Sequence, residues 1–342
     1  MLKKIIAASL AVLMLGLLGG CGGSGTTPTE EATVPKATQS AEEAKVLKIL
    51  TLGSSSTVDA CHMLNLVAAR EGAEQELVVG TLYYSGCTLA QHVQFLTQNS
   101  NVYSLYLSST ATPDAPPTIM ENVTMQNALR HDAWDIIVIQ PSGGDATTDE
   151  AYTEGKIDTI KEYVKRYKLN PESVFAYHGI ASGSTDPELT AKYPYSPNPY
   201  AANAEKYNYD RAAWYAERID RVNRFVLTNE DYVYRFLTCT AVENAITSYL
   251  GEKGIKRDYT HLTDIGRLIA AYVWYCELYG IEELTEVKVD TIPKKFLKST
   301  ADKSMDLVLT DAEKAVILEA VNNTIKNPTQ ITQSQYTQAP AQ

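Results

Sequence analysis

The run Trp134-Asp135-Ile136-Ile137-Val138-Ile139-Gln140 constrains this chain more than any other segment. Four consecutive β-branched aliphatic residues give a strand with apolar side chains on both faces, and such a strand needs cover above and below. The flanking sequence supplies it. Strand-like runs at Val46–Leu52, Leu77–Tyr84, Val102–Leu107, Ser173–Tyr177 and Val233–Leu237 are interleaved with helical periodicity. The helical stretches are Thr57–Arg70, Leu89–Leu96, Asn122–Arg130, Asp149–Tyr167, Ala212–Leu227, Thr263–Tyr279 and Thr310–Thr324. The alternation predicts an α/β fold, a single three-layer α/β/α domain with a mainly parallel central sheet, with Val102–Leu107 as a local hairpin partner. Sites in such sheets form at the carboxyl ends of the strands. Small or polar residues stand there: Gly53-Ser54-Ser55-Ser56, Ser85-Gly86, Gln140-Pro141-Ser142 and His178.

The folded part is expected over residues 46–326. Residues 1–20 combine Lys3-Lys4, an apolar run from Ile5 to Leu18 and two glycines, the pattern of an export signal rather than of a membrane span. Leu18-Gly19-Gly20-Cys21 resembles a bacterial lipobox, which makes Cys21 the lipidated first residue of the mature protein. The protein is then expected on the bacterial cell envelope, held to the outer face of a membrane by its lipid. Residues 21–45 lack the apolar content to fold and read as a disordered tether. Residues 327–342, rich in Gln and Thr, are expected to fray. A formal net charge of -11 and the lack of a basic stripe argue against nucleic acid as a partner. Cys61, Cys87, Cys239 and Cys276 show no metal-ligand spacing. Two readings stay open for them: one of three disulfide pairings, or four small core residues. His62, His92 and His178 have no metal-site spacing either, and nothing calls for a metal or cofactor. The Pro- and Tyr-rich stretch 182–209 is long for a compact domain and reads as a lid, a binding loop or a solvated insertion.

A serine hydroxyl becomes a nucleophile only beside a base that is itself oriented by a third group, and the reaction needs donors for the oxyanion. Ser55, after a strand and a glycine at the start of a helix, is a candidate nucleophile, although serines there also serve as helix caps. Asp258-Tyr259-Thr260-His261, on a turn before a helix, can set a carboxylate against one imidazole nitrogen and leave the other free.

Leu52-Gly53-Ser54-Ser55-Ser56, Gly86 after the second strand, and Asp258-x-x-His261 before a late helix together resemble the ordered blocks of the SGNH/GDSL hydrolase superfamily. Ser85-Gly86-Cys87-Thr88-Leu89, Trp134-Asp135 to Gln140, and His261-Leu262 resemble more narrowly a bacterial branch whose first block reads Gly-Asn-Ser-Phe-Ser. The resemblance implies an SGNH/flavodoxin-like fold, with Ser55 as nucleophile, His261 as base and Asp258 as its orienting group. It implies oxyanion donors at the Ser55 and Gly86 backbone N–H. The family's Gly-x-Asn block is absent; Gln140-Pro141-Ser142-Gly143 stands in its place, and the Gln140 amide is the expected third donor. Ser54 replaces the usual Asp or Asn, and Ser54 and His178 are expected as supporting residues.

The implied activity is an extracytoplasmic serine esterase that works through an acyl-enzyme on a small-molecule or glycan ester, including O-acetylated carbohydrate. The alternative is a surface-anchored glycan-binding lipoprotein on the same scaffold with weak or no turnover. The 22 tyrosines suit sugar or acyl contacts, but for most of them ordinary packing near a surface is the better reading.

Overall fold

The computed structural model describes residues 46–192 and 199–339. The export signal, Cys21, the tether and part of the 182–209 stretch lie outside the described residues. Seven strands form one sheet: β1 (Leu47–Gly53), β2 (Leu77–Tyr83), β3 (Tyr103–Ser109), β4 (Thr118–Val123), β5 (Ile136–Ile139), β6 (Val174–His178) and β7 (Tyr232–Phe236). Their order is β4-β3-β2-β1-β5-β6-β7. The pairs β1–β2, β1–β5, β5–β6 and β6–β7 are parallel; β2–β3 and β3–β4 are antiparallel. The mainly parallel α/β sheet read from the sequence is therefore present. All four residues of β5 are buried, as their apolar run requires.

Helices cover both faces. On one lie α1 (Ser55–Cys61), α2 (Leu64–Glu71), α6 (Thr238–Ile246), α7 (Asp264–Tyr279) and α8 (Asp311–Lys326); on the other lie α3 (Leu89–Gln98), α4 (Lys156–Tyr167) and α5 (Arg211–Arg221). Strand alternation separates the two cores. Leu50, Leu52, Ile137, Ile139 and Tyr177 pack with Ile157, Ile160, Tyr215 and Ile219. On the opposite face Trp274 of α7 stacks on Phe236, ring centroids 4.0 Å apart, and meets His178 edge-on at 5.1 Å.

Several elements differ from expectation. The Thr57–Arg70 helix is two helices, α1 and α2. The Asp149–Tyr167 helix breaks at Gly155, whose φ of 75° is left-handed; Glu150–Thr153 stands as a separate turn before α4. Strand β4 occupies the start of the segment read as helical from Asn122. Residues 187–191 and 199–206 of the long stretch are helical.

The tail expected to fray is held. Asn244 accepts from the Thr332 N–H at 2.8 Å, Thr247 from the Ser334 N–H at 2.8 Å, and the Tyr336 carbonyl from the Tyr249 N–H at 2.7 Å. These contacts, all with the α6 end of the molecule, replace the water that a free tail would bind. The four cysteines are buried and free, so the small-core-residue reading is the one seen. Burial pushes the Cys61, Cys87 and Cys276 thiols up to about 12 and Cys239 to about 11.

Candidate active site

The chain reverses its order across the sheet between β1 and β5, since β2 lies beyond one and β6 beyond the other. That is where a doubly wound sheet opens a crevice at its carboxyl edge. Gly53-Ser54-Ser55 leaves β1 and Gln140 leaves β5 at this point. Ser54 caps α1 with extended backbone (φ -122°, ψ -164°) and is buried, while Ser55, the first helical residue, is half-buried. At the start of a helix the Ser55 N–H has no partner in the helix ladder. Gly53 is required here because an added Cβ would collide with the Thr57 hydroxyl and lie 2.8 Å from Gln140 Oε1.

Gln140 is where the structure corrects the sequence reading. It is fully buried, and its carbonyl oxygen accepts from the Ser54 N–H, the Ser54 hydroxyl and the Thr57 hydroxyl, each at 2.9 Å. The backbone N–H of Ser54 can only donate, so the oxygen must face it. The amide nitrogen donates to the Pro141 carbonyl. The expected third oxyanion donor is instead a clamp that holds the turn before Ser55. Thr57 continues the clamp toward His178, whose Nδ1 is 3.4 Å from its hydroxyl and whose Nε2 is 3.2 Å from the Thr238 hydroxyl. Burial lowers His178 to about 3, so the ring is neutral and supports the turn from below.

Gly86 lies in the turn that leaves β2. The Cys87 N–H closes this turn onto the Tyr84 carbonyl at 3.2 Å, and Gly86, at φ 63°, is exposed. The turn is tied to β5 by Asp145, which accepts from the Leu89 N–H at 2.9 Å and the Ser142 N–H at 3.1 Å.

Asp258 and His261 meet as their spacing suggested. His261 Nδ1 lies 2.9 and 3.0 Å from the two carboxylate oxygens. Asp258 Oδ1 also accepts from the Thr260 N–H at 2.9 Å and the His261 N–H at 2.8 Å. Burial pushes this carboxyl up, but the hydrogen bonds from the His261 ring, from the His261 and Thr260 N–H groups, and the ring's charge outweigh it. They hold the group well below the usual carboxylate range. The carboxylate can only accept, so the His261 Nδ1 donates to it.

The other histidines have structural partners. His62 Nε2 lies 2.8 Å from the Phe296 carbonyl, and burial, with the Arg267 charge, lowers it to about 4. His92 Nδ1 meets the Tyr103 hydroxyl at 2.8 Å, and burial lowers it to about 4.

Asp59 is the residue that sequence reasoning missed. It is buried on α1, one turn after Ser55, and accepts from the Leu262 N–H at 2.9 Å. It therefore fastens the helix that begins with Ser55 to the segment that carries His261. Its only signal in the sequence was a carboxylate four residues after the candidate nucleophile within an otherwise small and apolar helix.

Residues 48–304 match the family model described as a domain of unknown function, DUF4886. Two solved structures are similar. A DUF4886 family protein from Bacteroides uniformis is 21% identical, with a TM-score of 0.67 over 86% of this chain and 100% of that one. A Slackia heliotrinireducens protein, provisionally named an SGNH hydrolase, is 16% identical with a TM-score of 0.39 over 68% of this chain and 99% of that one, a likeness too loose to argue from. No curated protein matches the chain.

Proposed function

This chain belongs to the DUF4886 family, and we propose that it is a serine hydrolase of the SGNH/GDSL type, acting on esters outside the cytoplasm with Ser55, His261 and Asp258 as its catalytic groups. The observation that carries this reading is the Asp258 carboxylate against His261 Nδ1, on a segment fastened by Asp59 to the Ser55 helix. An imidazole oriented in this way, once neutral, is a general base.

In the proposed reaction the Ser55 oxygen attacks the ester carbonyl while its proton passes to His261 Nε2. The Ser55 and Gly86 N–H groups receive the oxyanion. The alcohol leaves with the proton from His261, and an acyl-Ser55 ester remains. Water, deprotonated by His261, then releases the acid and restores Ser55. Asp258 holds the tautomer and offsets the imidazolium charge at each proton transfer. The mature protein carries a lipid on Cys21 and meets its substrate at the envelope, with O-acetylated glycan as the proposed class.

One observation favours a second reading. With Gln140 turned inward, the family's third donor has no counterpart at that position, as suits a glycan-binding lipoprotein of low turnover. Loss of one donor typically costs about 100- to 1,000-fold in turnover rather than all of it.

A fluorophosphonate probe separates the two readings. Labelling of the wild type that is lost in Ser55→Ala, with hydrolysis of short p-nitrophenyl esters or acetylated sugars, supports the hydrolase. A folded wild type that neither labels nor hydrolyses any of them overturns it.

A further inference from the structure

We propose that Asp59 is a positioning residue that sets the His261 imidazole against Ser55, acting through the backbone on the far side of the histidine. The proposal rests on the hydrolase reading. Asp59 and Ser55 stand four apart on α1 and so share one face of the helix. The Asp59 side chain meets the Leu262 N–H at 2.9 Å, immediately after His261, and that same face carries Ser55.

The contact is built like a joint rather than a chance surface pair. Asp59 is 2% exposed and its other oxygen accepts from Arg267 Nε at 2.7 Å and from Arg267 Nη2. Arg267 belongs to α7, the helix that follows the His261 segment, so a single carboxylate joins α1, that segment and α7. Arg257 closes the joint from the other end. Its backbone N–H donates to the His261 carbonyl at 3.0 Å, and its Nη1 donates to the Leu262 carbonyl at 2.6 Å and lies 3.4 Å from Asp59. Both backbone carbonyls and the N–H that follow the imidazole are therefore held, while Asp258 holds its ring. Asp258 fixes which way the ring points, and Asp59 fixes how far its backbone stands from the helix of Ser55. A buried carboxylate is expensive to keep unless it is paired, and here the pairing spans the three elements that must stay in register.

Two double variants test this. In Asp59→Leu/Arg267→Met the ion pair is replaced by apolar groups of similar size; the buried Asp264 keeps its Lys298, Ser299 and Thr300 N–H donors, and the Leu262 N–H loses its acceptor. In Asp59→Asn/Arg267→Met the charge is also gone, yet the Asn carbonyl can still accept from Leu262. The Leu variant is expected to lose about 100-fold in the rate of fluorophosphonate labelling, the effect of a small displacement between reacting groups, and the Asn variant is expected to recover to within about tenfold of wild type. Equal labelling rates in both folded variants and the wild type overturn the proposal. The downfield Nδ1 proton resonance of His261 should persist in all three proteins, because Asp258 holds the ring; its loss in the folded Leu variant would place the effect on ring orientation and overturn the proposal. A wild type that never labels removes the hydrolase reading, whereas a folded Leu variant that labels as fast as the wild type removes the role of Asp59. Should the Leu variant not fold, the wild-type Leu262 amide decides: exchange as slow as in the central strands is expected, and exchange as fast as in an exposed loop overturns the proposal.

Discussion

Gln140 shows how a residue of the expected type at the expected place can have the opposite role. An oxyanion donor must present its N–H groups to the crevice, whereas this amide presents its oxygen to the Ser54 N–H and hydroxyl before Ser55 and the Thr57 hydroxyl after it, and is shut away from solvent. The two roles predict different outcomes for Gln140→Met. As a donor to substrate, Gln140 could be replaced at little cost in stability. As a clamp, its loss strands the Ser54 N–H and two buried hydroxyls, each at about 1–3 kcal/mol. We expect a large fall in the unfolding midpoint, read by chemical denaturation, together with loss of Ser55 labelling; an unchanged midpoint would return Gln140 to the role of donor. Asp258→Asn should behave differently. It leaves the fold nearly intact, presents an amide to His261 Nδ1 that can select the wrong tautomer, and lowers ester turnover by about 100-fold or more. Its acid behaviour follows from the depressed Asp258 carboxyl. The group contributes stability that is fully present above its unfolded pKa of about 3.9 and is lost as pH falls through the lower folded value. The stability of the Asn variant should therefore depend less on pH below about 4 than that of the wild type, in urea unfolding at fixed pH values.

At the scale of elements, what could be read from the sequence was what repeats. The apolar run of β5 and the alternation around it made the parallel sheet legible, and the glycine and serines after β1 stand at the switch point between β1 and β5. Elements whose residues do not advertise a period were not legible. Strand β4 is an edge strand with five of its six residues exposed, so it carries no inward–outward pattern. Helix α6 is buried nearly all round, Thr238 to Ala245, and a helix without a polar face shows no amphipathic period. Asp59 was invisible for a related reason: its partners, Leu262 and Arg267, lie about 200 residues away, and only the folded chain brings them together. The tail was misread from its composition, because its backbone holds it: the Thr332 and Ser334 N–H groups and the Pro328 carbonyl pair with the Asn244, Thr247 and Thr240 side chains, which composition does not show. Removing residues 327–342 should therefore destabilise the whole domain. It leaves the Asn244 carbonyl oxygen and the Thr247 hydroxyl to water and uncovers α6, and a fall in melting temperature of several degrees is expected for a domain of this size. A truncated protein that melts with the full chain would mean that the tail only rests on the surface.

For the whole molecule, the segment 182–185 and the turn that carries His261 are held by a buried set of charges. Lys256, fully buried, donates to the Ser182 carbonyl at 2.6 Å and lies 3.4 Å from the Thr260 carbonyl. Arg211 spans Glu243 and Glu252 at 2.6 Å each and also reaches the Gly183 carbonyl. Burial, with the Arg211 charge, lowers Lys256 to about 8 against the opposing pull of Glu252, Glu243 and Asp258. The consequence for stability has a definite sign. Between about pH 8 and the free-lysine value of about 10.4 the folded chain has released the Lys256 proton while the unfolded chain still binds it. The unfolded state then holds more protons, so this lysine adds stability as pH rises through that window, and below it the full cost of the buried cation is carried. Lys256→Met removes the titration but leaves both carbonyls unpartnered. The difference in unfolding free energy, wild type minus variant, should rise from pH 8 to 10, whereas other groups that titrate there, buried tyrosines included, cancel in the subtraction. A flat difference would show that Lys256 keeps its proton throughout, and that the turn carrying His261 is anchored by a permanent cation instead of one poised to discharge.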